Sequence, residues 1–172
     1  MIRDQRIVAL GAASGVAAMV ASFAVIYRLW PIDRSLVDPA HRLAYALQLD
    51  AFAALPLLVA VIVVGNNRFL TEAIDPTLHK ETAATEINGR VADNTLQQFV
   101  LFLIGTLALS AGLAAPQMRT IRAAVIVFVV ARAAFWIGYR IHPLYRAFGM
   151  AATGYLNVGI IAFALWTIVQ AH

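Results

Sequence analysis

Residues 86–102 read EINGRVADNTLQQFVLF, in which a polar, charged approach becomes a long apolar segment within a few positions. If this segment is helical, Arg90, Asn94 and Gln97 have the spacing i, i+4 and i+7 and share one face. A guanidinium and two carboxamides then line the start of an apolar helix. This pattern predicts a site for an anionic, polar ligand.

A second segment, residues 131–149, reads ARAAFWIGYRIHPLYRAFG and repeats the arrangement. Arg132, Trp136 and Tyr139 have the same helical spacing, and Arg146 follows beyond a proline turn. The sequence therefore predicts two helices that carry polar stripes.

The composition fixes the class of protein. The chain has 172 residues, of which 62% are hydrophobic and 13% are charged, and its mean hydropathy is +0.78. These values lie far outside the range of soluble proteins and predict an all-α integral membrane protein. The length allows four or five spanning helices with short connections and one membrane domain.

Charge and cysteine content exclude several functions. The formal net charge is +4, but the basic residues are scattered at predicted helix ends, which favours lipid headgroups and an anionic ligand over nucleic acid. The absence of cysteine excludes disulfides, a thiolate nucleophile of the protein's own and cysteine-ligated metals, so any thiol chemistry must use a thiol from another molecule. We predict no metal site, because the four histidines are isolated: His41, His79, His142 and His172.

Residues 7–27 run without a charge for long enough to cross a bilayer. A signal peptide is the alternative, but its apolar core would be shorter, so we predict a retained first transmembrane helix. Gly11 and Gly15 form a G-x-x-x-G pair in this helix, which is typical of a surface that another helix approaches closely.

The second predicted span covers residues 44–67, after Pro31 and a charged loop of residues 32–42 that we interpret as interfacial. Pro56 is expected to bend this span. Asp50 lies inside it, where a carboxylate suggests function by default. Its shallow position near Arg42 slightly favours an interfacial ion pair.

Three further spans are predicted: from about residue 86 to Pro116, residues 123–139 and residues 147–171. Arg132 lies within the fourth, where a guanidinium costs roughly 2.5 kcal/mol or more at mid-bilayer, so it should face a partner or a wet cavity. Four aromatic side chains are predicted at the membrane interface: Trp136, His142, Tyr145 and Trp166.

Short turns make the last three spans antiparallel neighbours. The start of the third span and the turn between the fourth and fifth then lie on one side of the membrane. This geometry should gather four polar side chains: Arg90, Asn94, Tyr139 and Arg146. Seven Lys or Arg residues lie on this side and five on the other, which favours a cytoplasmic position for the polar face.

The run R-x-x-x-N-x-x-Q-x-x-x-L-F at residues 90–102 resembles a helix signature of the membrane-associated proteins in eicosanoid and glutathione metabolism (MAPEG), which include leukotriene C4 synthase and the microsomal glutathione transferases. In the family, an arginine is followed seven residues later by the tyrosine of a Gly-Tyr pair, and a further arginine follows after seven more residues. Arg132, Gly138-Tyr139 and Arg146 are similar to this pattern. The resemblance covers residue 44 to the C-terminus.

The resemblance implies a trimeric, four-helix antiparallel membrane domain at residues 43–172, with an added transmembrane helix and loop at residues 1–42. It also implies that glutathione is the co-substrate and lies between subunits. Arg90 and Asn94 of one subunit and Tyr139 of a neighbour would hold it, and Arg146 would lie near its thiol. The resemblance gives binding roles to three further residues: Arg68, Gln97 and Arg132.

The chain departs from the family pattern at two of these helical positions. Gln97 stands where relatives usually have glutamate, so it cannot pair with the amino group of glutathione. Phe135 stands where a tyrosine is common. The resemblance implies a transferase or peroxidase that acts on lipophilic electrophiles or hydroperoxides, and the alternative is a non-catalytic protein of the same fold that binds lipid or a partner. A transporter is a distant third, since no inverted repeat is evident.

Overall fold

The computed structural model describes residues 2–75, 77 and 80–171. His79 and His172, which entered the argument against a metal site, lie outside the described residues. Within the described residues there are six α-helices: α1 Arg3–Leu29, α2 Pro39–Ala53, α3 Leu55–Phe69, α4 Ala83–Gly112, α5 Arg119–Ile141 and α6 Arg146–Ala171. Short 3-10 helices, Glu72–Ile74 and Ala115–Gln117, lie in the connections before α4 and α5.

Five segments are long and apolar enough to cross a membrane, which confirms the prediction of a multi-pass membrane protein. α2 and α3 form one span, Pro39–Phe69, interrupted at Ala54. The interruption precedes Pro56, which lacks an N–H for the helical ladder, and lies where the sequence predicted a bend. α4 begins before residue 86 because the Thr82 hydroxyl caps it by accepting a hydrogen bond from the Thr85 N–H at 3.2 Å.

The core lies where α2, α4, α5 and α6 meet. α4 buries nine residues, and four of them recur at every seventh position along one face: Asn88, Thr95, Phe102 and Leu109. Phe102 packs on Phe128 of α5, with ring centroids 4.4 Å apart. The sevenfold repeat orients α4 and thereby decides which of its polar residues point outward.

α1 lies along the outside of the bundle against α5 and α6, and its one buried residue is Gly15. The backbone of Phe148 crosses so close to Gly15 that any Cβ there would collide with the Phe148 carbonyl. Gly11 adjoins Ala147 one turn away. The contact predicted for the G-x-x-x-G pair is confirmed, and its partner is the start of α6.

The ion pair expected at Asp50 is wrong. Asp50 is only 2% exposed, and its Oδ2 accepts a hydrogen bond from the Thr106 hydroxyl of α4 at 2.8 Å. Arg42 instead donates to the backbone carbonyls of Val37 and Ser110. Because α2 turns Asp50 toward α4, the carboxyl meets a hydroxyl in the core, and no cation of the described residues reaches it.

The chain crosses the bundle five times, so its connections alternate between two ends. We call the end with the start of α1, the α3–α4 connection and the α5–α6 turn the proximal side. The distal side carries the α1–α2 loop and the α4–α5 turn. The predicted polar residues Arg90, Tyr139 and Arg146 lie toward the proximal side.

Candidate functional site

The polar stripe predicted on α4 lies on its outer face. Arg90 and Gln97 are exposed and Asn94 is half-buried. The inward face belongs to the neighbouring series that contains Val91 and Thr95. In a single chain, therefore, the stripe points away from the bundle and is available to a ligand or to another subunit.

Tyr139 joins three of the predicted site residues. Its side chain is 4% exposed, and its hydroxyl accepts a hydrogen bond from Nη1 of Arg146 at 3.0 Å. The Arg146 guanidinium also covers the Tyr139 ring, with Cζ 4.9 Å from the centroid. The Arg90 guanidinium donates to Glu86 on its own helix and lies close to the same hydroxyl. The structure thus brings Arg90, Tyr139 and Arg146 together within one chain.

A tight turn makes this approach possible. α5 ends at Ile141 and α6 begins at Arg146, and the Tyr145 carbonyl returns so close to Gly138 that a Cβ there would lie 2.8 Å from it. Glycine at position 138 therefore allows the turn to fold back on α5 and places Arg146 beside Tyr139.

Arg90 has a carboxylate neighbour on its own helix. Its Nη2 donates to Oε1 of Glu86 at 2.5 Å, one turn earlier, and both side chains are mostly exposed. Exposed pairs of this kind contribute between zero and about 1 kcal/mol, so a ligand carboxylate can displace Glu86 without great cost. Glu86 also adds a negative charge to this face.

Asn94 has an unused acceptor. Its Oδ1 is buried, and it finds no donor among the described residues. Buried amide oxygens are normally hydrogen-bonded, so this atom is suited to a donor from outside the chain. An amide N–H of a bound peptide would satisfy it.

Arg132 lies inside the bundle. It is 1% exposed, and its guanidinium donates to the Thr95 hydroxyl of α4 at 2.8 Å and to the Thr153 hydroxyl of α6 at 3.3 Å. The Phe135 ring covers it, with the centroid 4.1 Å from Cζ. The sequence predicted that Arg132 faces a partner or a wet cavity, and the structure gives it two hydroxyl groups and an aromatic ring. Within the described ranges its guanidinium makes no ion pair.

Two other predicted residues have structural partners. Arg68 forms an ion pair with Glu81, with Nη2 and Oε1 2.6 Å apart, so its charge is already balanced. Trp136 is half-buried and donates from Nε1 to Oδ1 of Asn88 at 2.9 Å, which links α5 to α4 and adds to the interfacial role predicted for it.

The uncharged hydrogen-bond partners of Arg132 and Trp136 were not identified from the sequence. Thr95, Thr153 and Asn88 attract no attention as single residues in an apolar helix. The signal that could have found two of them is the sevenfold series from Asn88 through Thr95 to Phe102, which marks the inward face of α4.

The family model of the MAPEG family matches residues 46–166. The match covers well over half of the chain and includes the motifs around Arg90, Arg132 and Arg146. The chain belongs to the MAPEG family. This confirms the resemblance of residues 90–146, and the family match begins after α1 and its loop. The comparisons with curated proteins and with solved structures gave no match.

Within this MAPEG chain, the proximal cluster offers cationic donors beside a tyrosine hydroxyl. Two guanidiniums can hold carboxylates or favour an anionic sulfur, since both groups accept strong hydrogen bonds from arginine. The outer apolar surface of the bundle would lie in lipid and could supply apolar molecules to the cluster.

Proposed function

We propose that the chain is a glutathione-dependent membrane transferase or peroxidase that acts on lipophilic electrophiles or lipid hydroperoxides. The observation that carries the proposal is the convergence of Arg90 and Arg146 on the Tyr139 hydroxyl. The family match over the same residues supports it.

The described residues fit the chemistry of glutathione. Arg90 would bind one of its two carboxylates, and the free Oδ1 of Asn94 would accept a peptide N–H. Gln97 can bind the peptide by hydrogen bonds but carries no charge. Glu86 would supply the carboxylate for the amino group, because it already lies beside Arg90 on this face.

Arg146 would favour the thiolate form of bound glutathione. A guanidinium near a thiol lowers its pKa, and the thiolate is the nucleophile that attacks an electrophilic carbon or a peroxide oxygen. Tyr139 would hold Arg146 in place through the hydrogen bond to its hydroxyl. The protein then contributes orientation and charge, and glutathione contributes the sulfur.

We infer a homotrimer with the site between subunits. The outward position of Arg90, Asn94 and Gln97 supports this, because a stripe of polar groups facing lipid would be costly. A neighbouring subunit would cover the stripe and close the site. The positive-inside distribution supports a cytoplasmic position for the proximal side.

Replacing the two arginines tests the proposal. Arg146→Ser should raise the pKa of bound glutathione by about one unit or more and lower turnover, with most of the affinity kept. Arg90→Ala should weaken glutathione binding roughly tenfold or more, since a charged hydrogen bond is lost. Titration of thiolate absorbance and calorimetry measure the two effects. Arg140→Ala, which removes an exposed charge from the end of α5 on the proximal side, is the control.

A non-catalytic role is the second candidate, and the burial of Arg132 favours it. Thr95, Thr153 and Phe135 enclose this guanidinium, so it serves the packing of helices. The second candidate predicts that wild type forms no thiolate at neutral pH. In that case, a lipid or a protein partner would occupy the outer face of α4.

A further inference from the structure

A recess of about 490 Å³ lies on the distal side, at the opposite end of the bundle from Tyr139. The loop after α1 forms one wall, and the first turn of α5 forms another. The side chains that matter for its chemistry are Trp30, Asp33, Tyr45, Arg119 and Arg122. Since α1 and its loop precede the family match, this recess is built partly by residues that the family model does not cover.

Aromatic faces hold the two arginines of the recess. Arg119 lies over the Tyr27 ring, with Cζ 4.0 Å from the centroid. Arg122 lies 4.7 Å from the centroid of Trp30 and 5.3 Å from that of Tyr45. Stacking of this kind fixes a guanidinium and leaves N–H groups for other partners. Arg122 also lies close to the Tyr45 hydroxyl.

The positive charge of the recess is not balanced. Within residues 2–75, 77 and 80–171, neither arginine forms an ion pair with a carboxylate. The Nε of Arg119 and the Nε of Arg122 are also buried without an acceptor in that part of the chain. Buried guanidinium donors normally have acceptors, so each arginine retains a donor that an external acceptor could satisfy.

Asp33 at the rim does not supply that anion. Its Oδ1 accepts hydrogen bonds from the Ser35 hydroxyl at 2.6 Å and the Ser35 N–H at 2.9 Å. These bonds, with a smaller contribution from Arg122, lower the pKa of the Asp33 carboxyl. The carboxylate is thus committed to its own loop and would repel an anion that enters the recess.

We propose that the recess binds a phosphate group between Arg119 and Arg122. Two guanidiniums with free donors match the oxygens of phosphate, and the aromatic side chains around them are typical of the membrane interface. A phospholipid headgroup or free phosphate would present the same chemistry. Bound there, the phosphate would join the loop after α1 to the start of α5.

The experiment uses the full-length protein in detergent free of phosphate. Binding of dioleoyl phosphatidate is compared with binding of dioleoylglycerol, which lacks the phosphate, and inorganic phosphate is titrated separately by calorimetry. Arg119→Gln and Arg122→Gln should each weaken phosphate or phosphatidate binding roughly tenfold or more. Arg34→Gln removes an exposed charge of the same loop and should leave binding unchanged.

The outcomes separate the two sources and can overturn the proposal. Binding of phosphatidate but not of inorganic phosphate identifies a lipid headgroup, and binding of inorganic phosphate identifies the free ion. Equal binding of phosphatidate and dioleoylglycerol, together with no response to phosphate, would overturn the proposal and leave the arginines as clamps for α1.

A charge-removing variant keeps the test valid if the arginine variants fail to fold. Asp33→Asn leaves both arginines in place and removes the negative charge at the rim, so it should tighten binding of the same probe at least twofold, on the order expected for loss of one nearby repulsion. Unchanged or weaker binding in Asp33→Asn would contradict a phosphate site.

Discussion

Arg132 shows how a charged side chain is accommodated inside this bundle. A guanidinium in hydrocarbon is costly unless hydrogen bonds satisfy it. Here two threonine hydroxyls accept from its Nη1 and Nη2 groups and an aromatic ring covers its plane. Its Nε finds no acceptor among the described residues. Each threonine also donates to a helix carbonyl, Thr95 to Val91 and Thr153 to Gly149, so both oxygens are oriented to accept from Arg132.

Removing an acceptor should therefore cost more than removing the charge. We expect Thr95→Val to destabilise the protein by about 1–3 kcal/mol, because it leaves a buried guanidinium N–H unpaired. Arg132→Met keeps the volume and should be nearly neutral. Thermal unfolding in detergent compares the two variants. If Arg132→Met is the more damaging, the guanidinium has a role beyond packing, and loss of glutathione binding in that variant would identify it.

The sequence predicted the proximal cluster better than the buried charges. Arg90, Tyr139 and Arg146 could be placed together because short turns dictate which helix ends meet. The partners of Arg132 and Asp50 could not. Thr95 lies 37 residues from Arg132 and Thr106 lies 56 residues from Asp50, and threonine fits an apolar helix without any distinguishing pattern.

At the scale of elements, the crossing of α5 and α6 depends on Gly149. A Cβ at this position would lie 2.5 Å from the Ala131 carbonyl oxygen and would also collide with the Phe135 backbone. The crossing holds Thr153 against Arg132 one turn further along α6. Small residues allow such backbone contact in membranes, where apolar burial alone gives little driving force between helices.

We expect Gly149→Ala to separate the two helices and to destabilise the protein by roughly 1–3 kcal/mol through overpacking. Gly159→Ala is the control on the same helix, because a Cβ there meets nothing within 4 Å. Helical propensity alone would make both changes neutral or slightly stabilising. Unfolding temperatures measured in the same detergent decide the matter, and equal temperatures for the two variants would show that the crossing can relax.

The five spans could be predicted from hydropathy alone, but the faces of the helices could not. α4 presents Arg90 outward and Asn88 inward. Residues two positions apart in a helix lie on nearly opposite faces, but hydropathy does not show which of the two faces is buried. The packing of Phe102 on Phe128 settles that orientation. The outward direction of the stripe was implied by the family resemblance, which places the site between subunits.

At the scale of the whole molecule, the outward stripe raises the question of what covers it. Most of the exposed surface of the bundle is apolar, as a lipid boundary requires. The stripe of α4 interrupts this surface with Arg90, Asn94 and Gln97, and Asp93 is exposed beside them. If subunits assemble through this face of α4, the polar stripe is buried in the interface. Only the apolar surface of each subunit then contacts lipid.

We therefore expect a homotrimer in mild detergent, with the stripe at the interface. Because the chain has no cysteine, Gln97→Cys introduces one thiol per subunit, and it should react slowly with a lipophilic maleimide in the assembly but quickly once harsh detergent separates the subunits. Val20→Cys, on the exposed side of α1, is the control and should react quickly in both states. Light scattering gives the mass beside each labelling rate. A folded monomer, or rapid labelling at position 97 in the intact assembly, would show that the stripe faces lipid or water instead of a subunit, and the intersubunit site would have to be abandoned.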